Sequence, residues 1–114
     1  MHKIFYVFYS SNQFNVGKYG NNKNCDWTIT APSGSTIKLA FSNFTTEANY
    51  DIVVVYDGAS ANSSLLGMFS GTRTPPDIIS SGNTLHVTFE SDNSISKEGF
   101  HAVATAETGA YMKD

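Results

Sequence analysis

The acidic side chains of this sequence are unevenly placed, and three of them sit in short loops beside strand-like segments. Glu47 and Asp51 bracket the end of Thr45-Thr46-Glu47-Ala48-Asn49-Tyr50-Asp51, just before the apolar run Ile52-Val53-Val54-Val55-Tyr56. Asp92 lies in Ser91-Asp92-Asn93-Ser94, just after a segment ending at Glu90. If these loops meet at one end of a sheet protein, the carboxylates converge together with nearby oxygens from Asn93, Ser side chains and carbonyls. Like charges forced together repel, and a hard cation taking roughly 6–8 oxygen ligands neutralises them; calcium suits such a cage better than magnesium. On spacing alone the competing reading stays open, because Asp and Asn in loops commonly form turns or carry solvated charge. Asp57, in the dipeptide Asp57-Gly58, reads as a turn residue.

Other reactive residue types form no comparable group. His86 and His101 fall on the polar phase of their segments, opposite Leu85 and Val87 and opposite Phe100 and Ala102, which places both on the surface. The chain has no Gly-rich phosphate loop, no paired Cys, no His-x-x-x-His zinc spacing and no nucleophile elbow. It is expected not to be an enzyme. Cys25 is the single cysteine, so no intrachain disulfide forms. It reads as a small buried hydrophobe, with a bond to a partner or to an absent segment as the alternative. Asn43-Phe44-Thr45 and Asn62-Ser63-Ser64 are N-glycosylation sequons near loops; such triplets also arise by chance in an Asn- and Ser-rich chain.

A chain of 114 residues buries one core and not two. Charged residues are only 15% of it, and Val, Ile, Thr, Ser, Asn, Gly and aromatics replace the Leu-, Lys- and Glu-rich stretches that helices favour. The net charge of −3 and the scatter of the seven basic residues argue against a nucleic-acid partner. The longest apolar run, Ile4 to Tyr9, is far short of the ~20 residues that span a bilayer, so membrane insertion is not expected; it reads as a first strand. Because the pattern is strand-like from the outset, the sequence reads as a domain of a larger multidomain protein or assembly rather than as a secretory precursor.

Period-two alternation recurs along the chain. Trp27 and Ile29 alternate with Thr28 and Thr30; Ile37, Leu39 and Phe41 follow the turn Pro32-Ser33-Gly34; Leu85, Val87 and Phe89 follow Ser81-Gly82-Asn83. Ile52 to Tyr56, nearly all apolar, is expected to be a central strand covered on both faces. Shorter strands are expected at Leu65 to Phe69 and Ile78-Ile79, and a last one at Gly99 to Ala104. Seven or eight strands without a helix predict an all-β sandwich or jelly roll whose two sheets bury their inner faces together. The domain is read as 1–106, and 107–114 as a patternless tail.

The order of these pieces carries a family likeness. Tyr19-Gly20-Asn21-Asn22, Asn24-Cys25-Asp26-Trp27-Thr28-Ile29, Ala31-Pro32-Ser33-Gly34, Phe44-Thr45-Thr46-Glu47, Tyr50-Asp51 and Val55-Tyr56-Asp57-Gly58 open it. Phe69-Ser70-Gly71, Gly82-Asn83, Leu85-His86-Val87-Thr88-Phe89, Ser91-Asp92-Asn93-Ser94 and Gly99-Phe100 complete it. Together they resemble the CUB domain family over nearly the whole chain. The resemblance implies a jelly-roll β-sandwich of two antiparallel sheets and an extracellular setting. It also implies a calcium ion held by Glu47, Asp51 and Asp92, with the backbone of Ser94 as a further oxygen donor and Tyr19 supporting the site from outside. In such relatives the acidic end receives a Lys or Arg of a protein partner; others bind glycan or act as spacers. An exposed Tyr or Trp face would mark a carbohydrate binder, and Trp27 is expected to be buried. The chain departs from animal relatives in lacking their disulfides: the upstream partner of Cys25 is absent, and Ala48 and Ser70 stand where a second pair is usual.

Overall fold

The computed structural model describes residues 2–9, 24–92 and 99–107, the first of these segments through its backbone. The chain forms β1 (His2–Tyr9), β2 (Asn24–Thr30), β3 (Thr36–Thr45), β4 (Ile52–Asp57), β5 (Ser64–Phe69), β6 (Ile78–Ile79), β7 (Thr84–Glu90) and β8 (Gly99–Glu107). No helix occurs among the described residues. Two four-stranded sheets, ordered β1-β8-β3-β6 and β2-β7-β4-β5, are antiparallel throughout, as expected for the jelly-roll sandwich.

Alternation decides which side chains enter the core. Cys25, Trp27 and Ile29 of β2, Ile37, Leu39 and Phe41 of β3, Val53 and Val55 of β4, and Leu85, Val87 and Phe89 of β7 point between the sheets and are buried. Phe100, Ala102, Ala104 and Ala106 of β8 join β3 in lining the layer from the β1-β8-β3-β6 sheet. Phe100 is a hub: its ring lies 5.5 Å from Phe41, 5.9 Å from Phe44, 5.4 Å from Phe89 and 6.1 Å from Trp27. Three of these pairs are edge-to-face and the Phe44 pair is stacked, and both geometries add to what burial alone contributes.

One break in the alternation has a backbone cause. Phe41 and Phe44 are both buried although three residues apart, because the β3–β8 register shifts between Ser42 and Thr45 and Asn43 takes φ 51°. This bulge inserts an extra residue and returns Phe44 to the inner face. Asn tolerates the left-handed backbone better than a β-branched residue would.

Three expectations need correction. β4 lies between β7 and β5, but Ile52, Val54 and Tyr56 remain partly exposed: a two-layer sandwich has nothing to cover its outer face. His86 does lie on that outer face, yet it is 8% exposed and not a surface residue. It sits between its register partners Thr28 and Tyr56, with a 2.8 Å hydrogen bond joining Thr28 Oγ1 and His86 Nδ1, the Tyr56 ring 6.1 Å away and Asp26 Oδ2 3.7 Å from Nε2. At the C-terminal end, β8 continues to Glu107, paired with His2 and Thr36, three residues beyond the strand expected at Gly99 to Ala104.

Candidate metal centre

Four segments meet at one end of the sandwich because of how the strands run. β3 ends at Thr45 and leads into Thr46 and Glu47; β4 begins at Ile52, directly after Asp51; β7 ends at Glu90 and leads into Ser91 and Asp92; β5 ends at Phe69 and leads into Ser70 and Gly71. Antiparallel pairing of β4 with both β5 and β7 brings the start of β4 to the ends of its neighbours.

The loop from Glu47 to Asp51 closes on itself. The N–H groups of Tyr50 and Asp51 both donate to the Glu47 carbonyl, at 3.3 and 3.0 Å. Asn49 takes φ 69°, a turn conformation that Asn accepts more readily than most residues. Thr46, 2% exposed, donates its hydroxyl to the Asp51 carbonyl at 2.9 Å, tying the start of the loop to its end. Asp51 itself has no exposed surface, and its Oδ1 accepts the Asp92 N–H at 2.9 Å.

These constraints bring one carboxylate oxygen each from Glu47, Asp51 and Asp92 within 4.8 Å of one another. Asp51 is buried, Glu47 and Asp92 are half-buried, and Oε1 of Glu47 is shielded from solvent. Burying carboxylate charge is costly unless hydrogen bonds and opposite charge compensate it. The donor set is all oxygen, and oxygens bound to one calcium ion at ~2.4 Å stand no more than about 4.8 Å apart, so three atoms mutually within that distance can share one hard cation. The three carboxylates fit a hard cation such as calcium in donor chemistry and in reach. Tyr19, Asn93 and Ser94, expected beside this group, lie outside the described residues.

The remaining candidates are dispersed. Cys25 is buried, opposite Phe89 in the β2–β7 register. His101 shares a 2.9 Å hydrogen bond with Ser42 on β3, away from His86. Asp57 ends β4, and its Oδ1 accepts the Ser81 N–H at 3.0 Å, a turn-bracing role in keeping with its turn reading. Asn43 is exposed on the β3 bulge, toward the acidic end; Asn62 is exposed in the β4–β5 connection, at the opposite end. The sequence reading missed the loop's outer support. Ser70 Oγ accepts the Asn49 N–H at 3.0 Å, and Thr46 and Gly71 are joined twice, Thr46 N–H to Gly71 O at 2.9 Å and Gly71 N–H to Thr46 Oγ1 at 3.0 Å. No local sequence signal links residues 46–51 to 70–71; the family likeness marks Ala48 and Ser70 as the positions of a disulfide this chain lacks, and the β4–β5 pairing brings the segments together.

Residues 6–103 match the CUB domain family profile, and the chain belongs to the CUB family. It is 46% identical over 107 residues to cubilin of Sus scrofa, covering 88% of this chain and 3% of that protein. It is 39% identical over 100 residues to Tolloid-like protein 1 of Homo sapiens, covering 84% of this chain and 10% of that one. Exoskeleton protein RP43 of Riftia pachyptila is 44% identical over 101 residues, covering 82% and 24%. The chain thus spans only 3–24% of the length of these relatives. Among solved structures, the full extracellular region of zebrafish Gpr126/Adgrg6 aligns with a TM-score of 0.78 at 30% identity, over 95% of this chain and 14% of that one. The MASP-1 CUB2 domain bound to Ca2+ aligns with a TM-score of 0.74 over 86% of this chain and 88% of that one; at 24% identity the likeness is one of fold.

Proposed function

We propose that this domain is an extracellular, calcium-dependent protein-binding module, not an enzyme, in which Glu47, Asp51 and Asp92 hold Ca2+ and the same acidic end receives a Lys or Arg side chain of a partner protein. The observation that carries this reading is the convergence of those three carboxylates within 4.8 Å from loops that follow β3, precede β4 and follow β7. Calcium supplies two positive charges, which offset mutual repulsion and leave the cluster with about one net negative charge. Glu47 and Asp92, both half-buried, then accept charge-assisted hydrogen bonds from a partner's cation at the edge of the cluster. Each such contact is modest, and repetition across several domains of a long chain makes the sum strong. The large size of the matched relatives supports that arrangement. An extracellular setting is supported by the Gpr126/Adgrg6 extracellular region among the structural neighbours; no helix among the described residues is long and apolar enough to cross a membrane.

The test is an array of Lys- and Arg-bearing peptides, each beside its norleucine counterpart, probed in millimolar calcium and in chelator, with a glycan array alongside. Binding that needs both the basic side chain and calcium, and that Asp92→Ala removes, is expected. Binding indifferent to chelator, or confined to glycans, overturns the reading. Against a glycan binder stands the burial of Trp27; among the residues whose side chains are described, Tyr50, 64% exposed, is the one large aromatic strongly exposed.

A second reading, a structural subunit of an extracellular assembly, is favoured by one observation. Edge strand β5 exposes Leu65 by 55%, Leu66 by 37% and Met68 by 60%, and it carries no charged residue among Ser64–Phe69. Unprotected edges of this kind invite pairing with another chain.

A further inference from the structure

We infer that Ser70-Gly71, directly after β5, is a brace that sets the geometry of the cation loop, with Thr46 and Ser70 as its positioning residues. This rests on the calcium reading above and extends it to residues that hold no ion themselves. The Thr46 hydroxyl is engaged on both sides: it donates to the Asp51 carbonyl at 2.9 Å and accepts the Gly71 N–H at 3.0 Å. The Thr46 N–H returns the contact to the Gly71 carbonyl at 2.9 Å. Thr46 precedes Glu47 in the chain, so one buried hydroxyl fixes the separation of the two ends from which Glu47 and Asp51 project. Ser70 holds the middle of the loop, accepting the Asn49 N–H at 3.0 Å where that residue turns through φ 69°. Gly71 sits at φ 89°, with Ala48 3.7 Å from where its Cβ would stand; a side chain there would be strained by the backbone itself.

The brace makes cation affinity depend on the pairing of β5 with β4, whose last rung, Val53 with Phe69, lies next to Ser70. Without it, the middle of the loop loses its Asn49 anchor and Thr46 its two bonds to Gly71, and binding carries a larger entropic cost of ordering the loop.

The experiment combines calorimetric calcium titration with amide hydrogen exchange on the parent, Ser70→Ala, Ser70→Thr and Thr46→Val. Loss of one such hydrogen bond corresponds to about a fivefold change in an equilibrium constant. Ser70→Ala is therefore expected to weaken calcium binding about fivefold and to speed exchange at the Asn49 amide, with no change in the 58–63 connection at the far end. Ser70→Thr, which keeps the hydroxyl, is expected to restore both. Equal affinity in parent and Ser70→Ala overturns the brace whatever exchange shows, and Ser70→Ala decides alone if Thr46→Val fails to fold. Should the parent bind no calcium, the calcium reading fails by itself; selective exchange at Asn49 in Ser70→Ala then still upholds the brace, and unchanged exchange overturns it too.

Discussion

The backbone N–H of Asp92 donates to Oδ1 of Asp51 at 2.9 Å, joining the loop after β7 to the fully buried carboxylate that precedes β4. The bond fixes the position of the Asp92 backbone without calling on its side chain, so the carboxylate can be changed while the loop stays docked.

That separation gives the first prediction. At 4.8 Å, two unit charges repel by roughly 3 kcal/mol at an effective dielectric near 20. Asp92 is half-exposed, and solvent screening reduces its share to about 1 kcal/mol. In chelator, Asp92→Asn is therefore expected to be more stable than the parent by about 1 kcal/mol in urea denaturation. Added calcium should stabilise the parent and leave Asp92→Asn nearly unchanged.

Asn49 carries a second prediction. At φ 69°, Gly is accommodated and a β-branched residue is strained. Asn49→Gly should stay within about 0.5 kcal/mol of the parent, and Asn49→Val should cost about 1–2 kcal/mol and weaken calcium binding as well, measured by thermal unfolding and titration together.

The aromatic hub supplies a third. Removing the Phe100 ring leaves a cavity facing Phe41, Phe44, Phe89 and Trp27. Phe100→Ala is expected to cost about 3–5 kcal/mol in urea denaturation, a large part of the stability of a domain this size.

The β5 edge distinguishes the two functional readings. Leu65 and Met68 are exposed, so Leu65→Lys with Met68→Lys should leave stability within about 0.5 kcal/mol per site. As a binding module the parent should sediment as a monomer at all concentrations. As an assembly subunit it should associate at high concentration and lose that property in the double variant.

Much of the fold was legible because each strand wrote its burial into its own alternation: Trp27 and Ile29 against Thr28 and Thr30, or Leu85, Val87 and Phe89 along β7. The convergence of Glu47, Asp51 and Asp92 was legible only jointly, from loops flanking strands and from the family likeness, since pairing partners 41 residues apart leave no local trace. Where reading failed, the reason was neighbours. His86 has the polar phase of β7 but is covered from β2 and β4 by Thr28 and Tyr56, and phase specifies a face, not its exposure. Val54 failed in the opposite sense: an apolar run suggested two covered faces, and the sandwich supplies one. The contacts of Ser70 and Gly71 with Thr46 and Asn49 depend on the β4–β5 register, which no residue in either segment announces.

The most direct test of the central claim is thermal unfolding of the domain in chelator and in millimolar calcium, for the parent and for Asp92→Ala. A ligand that binds only the folded form at a hundredfold excess over its dissociation constant adds about 2.7 kcal/mol, several degrees in midpoint for a domain of this length. The midpoint is expected to rise by that amount in the parent and to stay put in Asp92→Ala. A parent whose midpoint ignores calcium would contradict the account and leave the three carboxylates as ordinary loop charges.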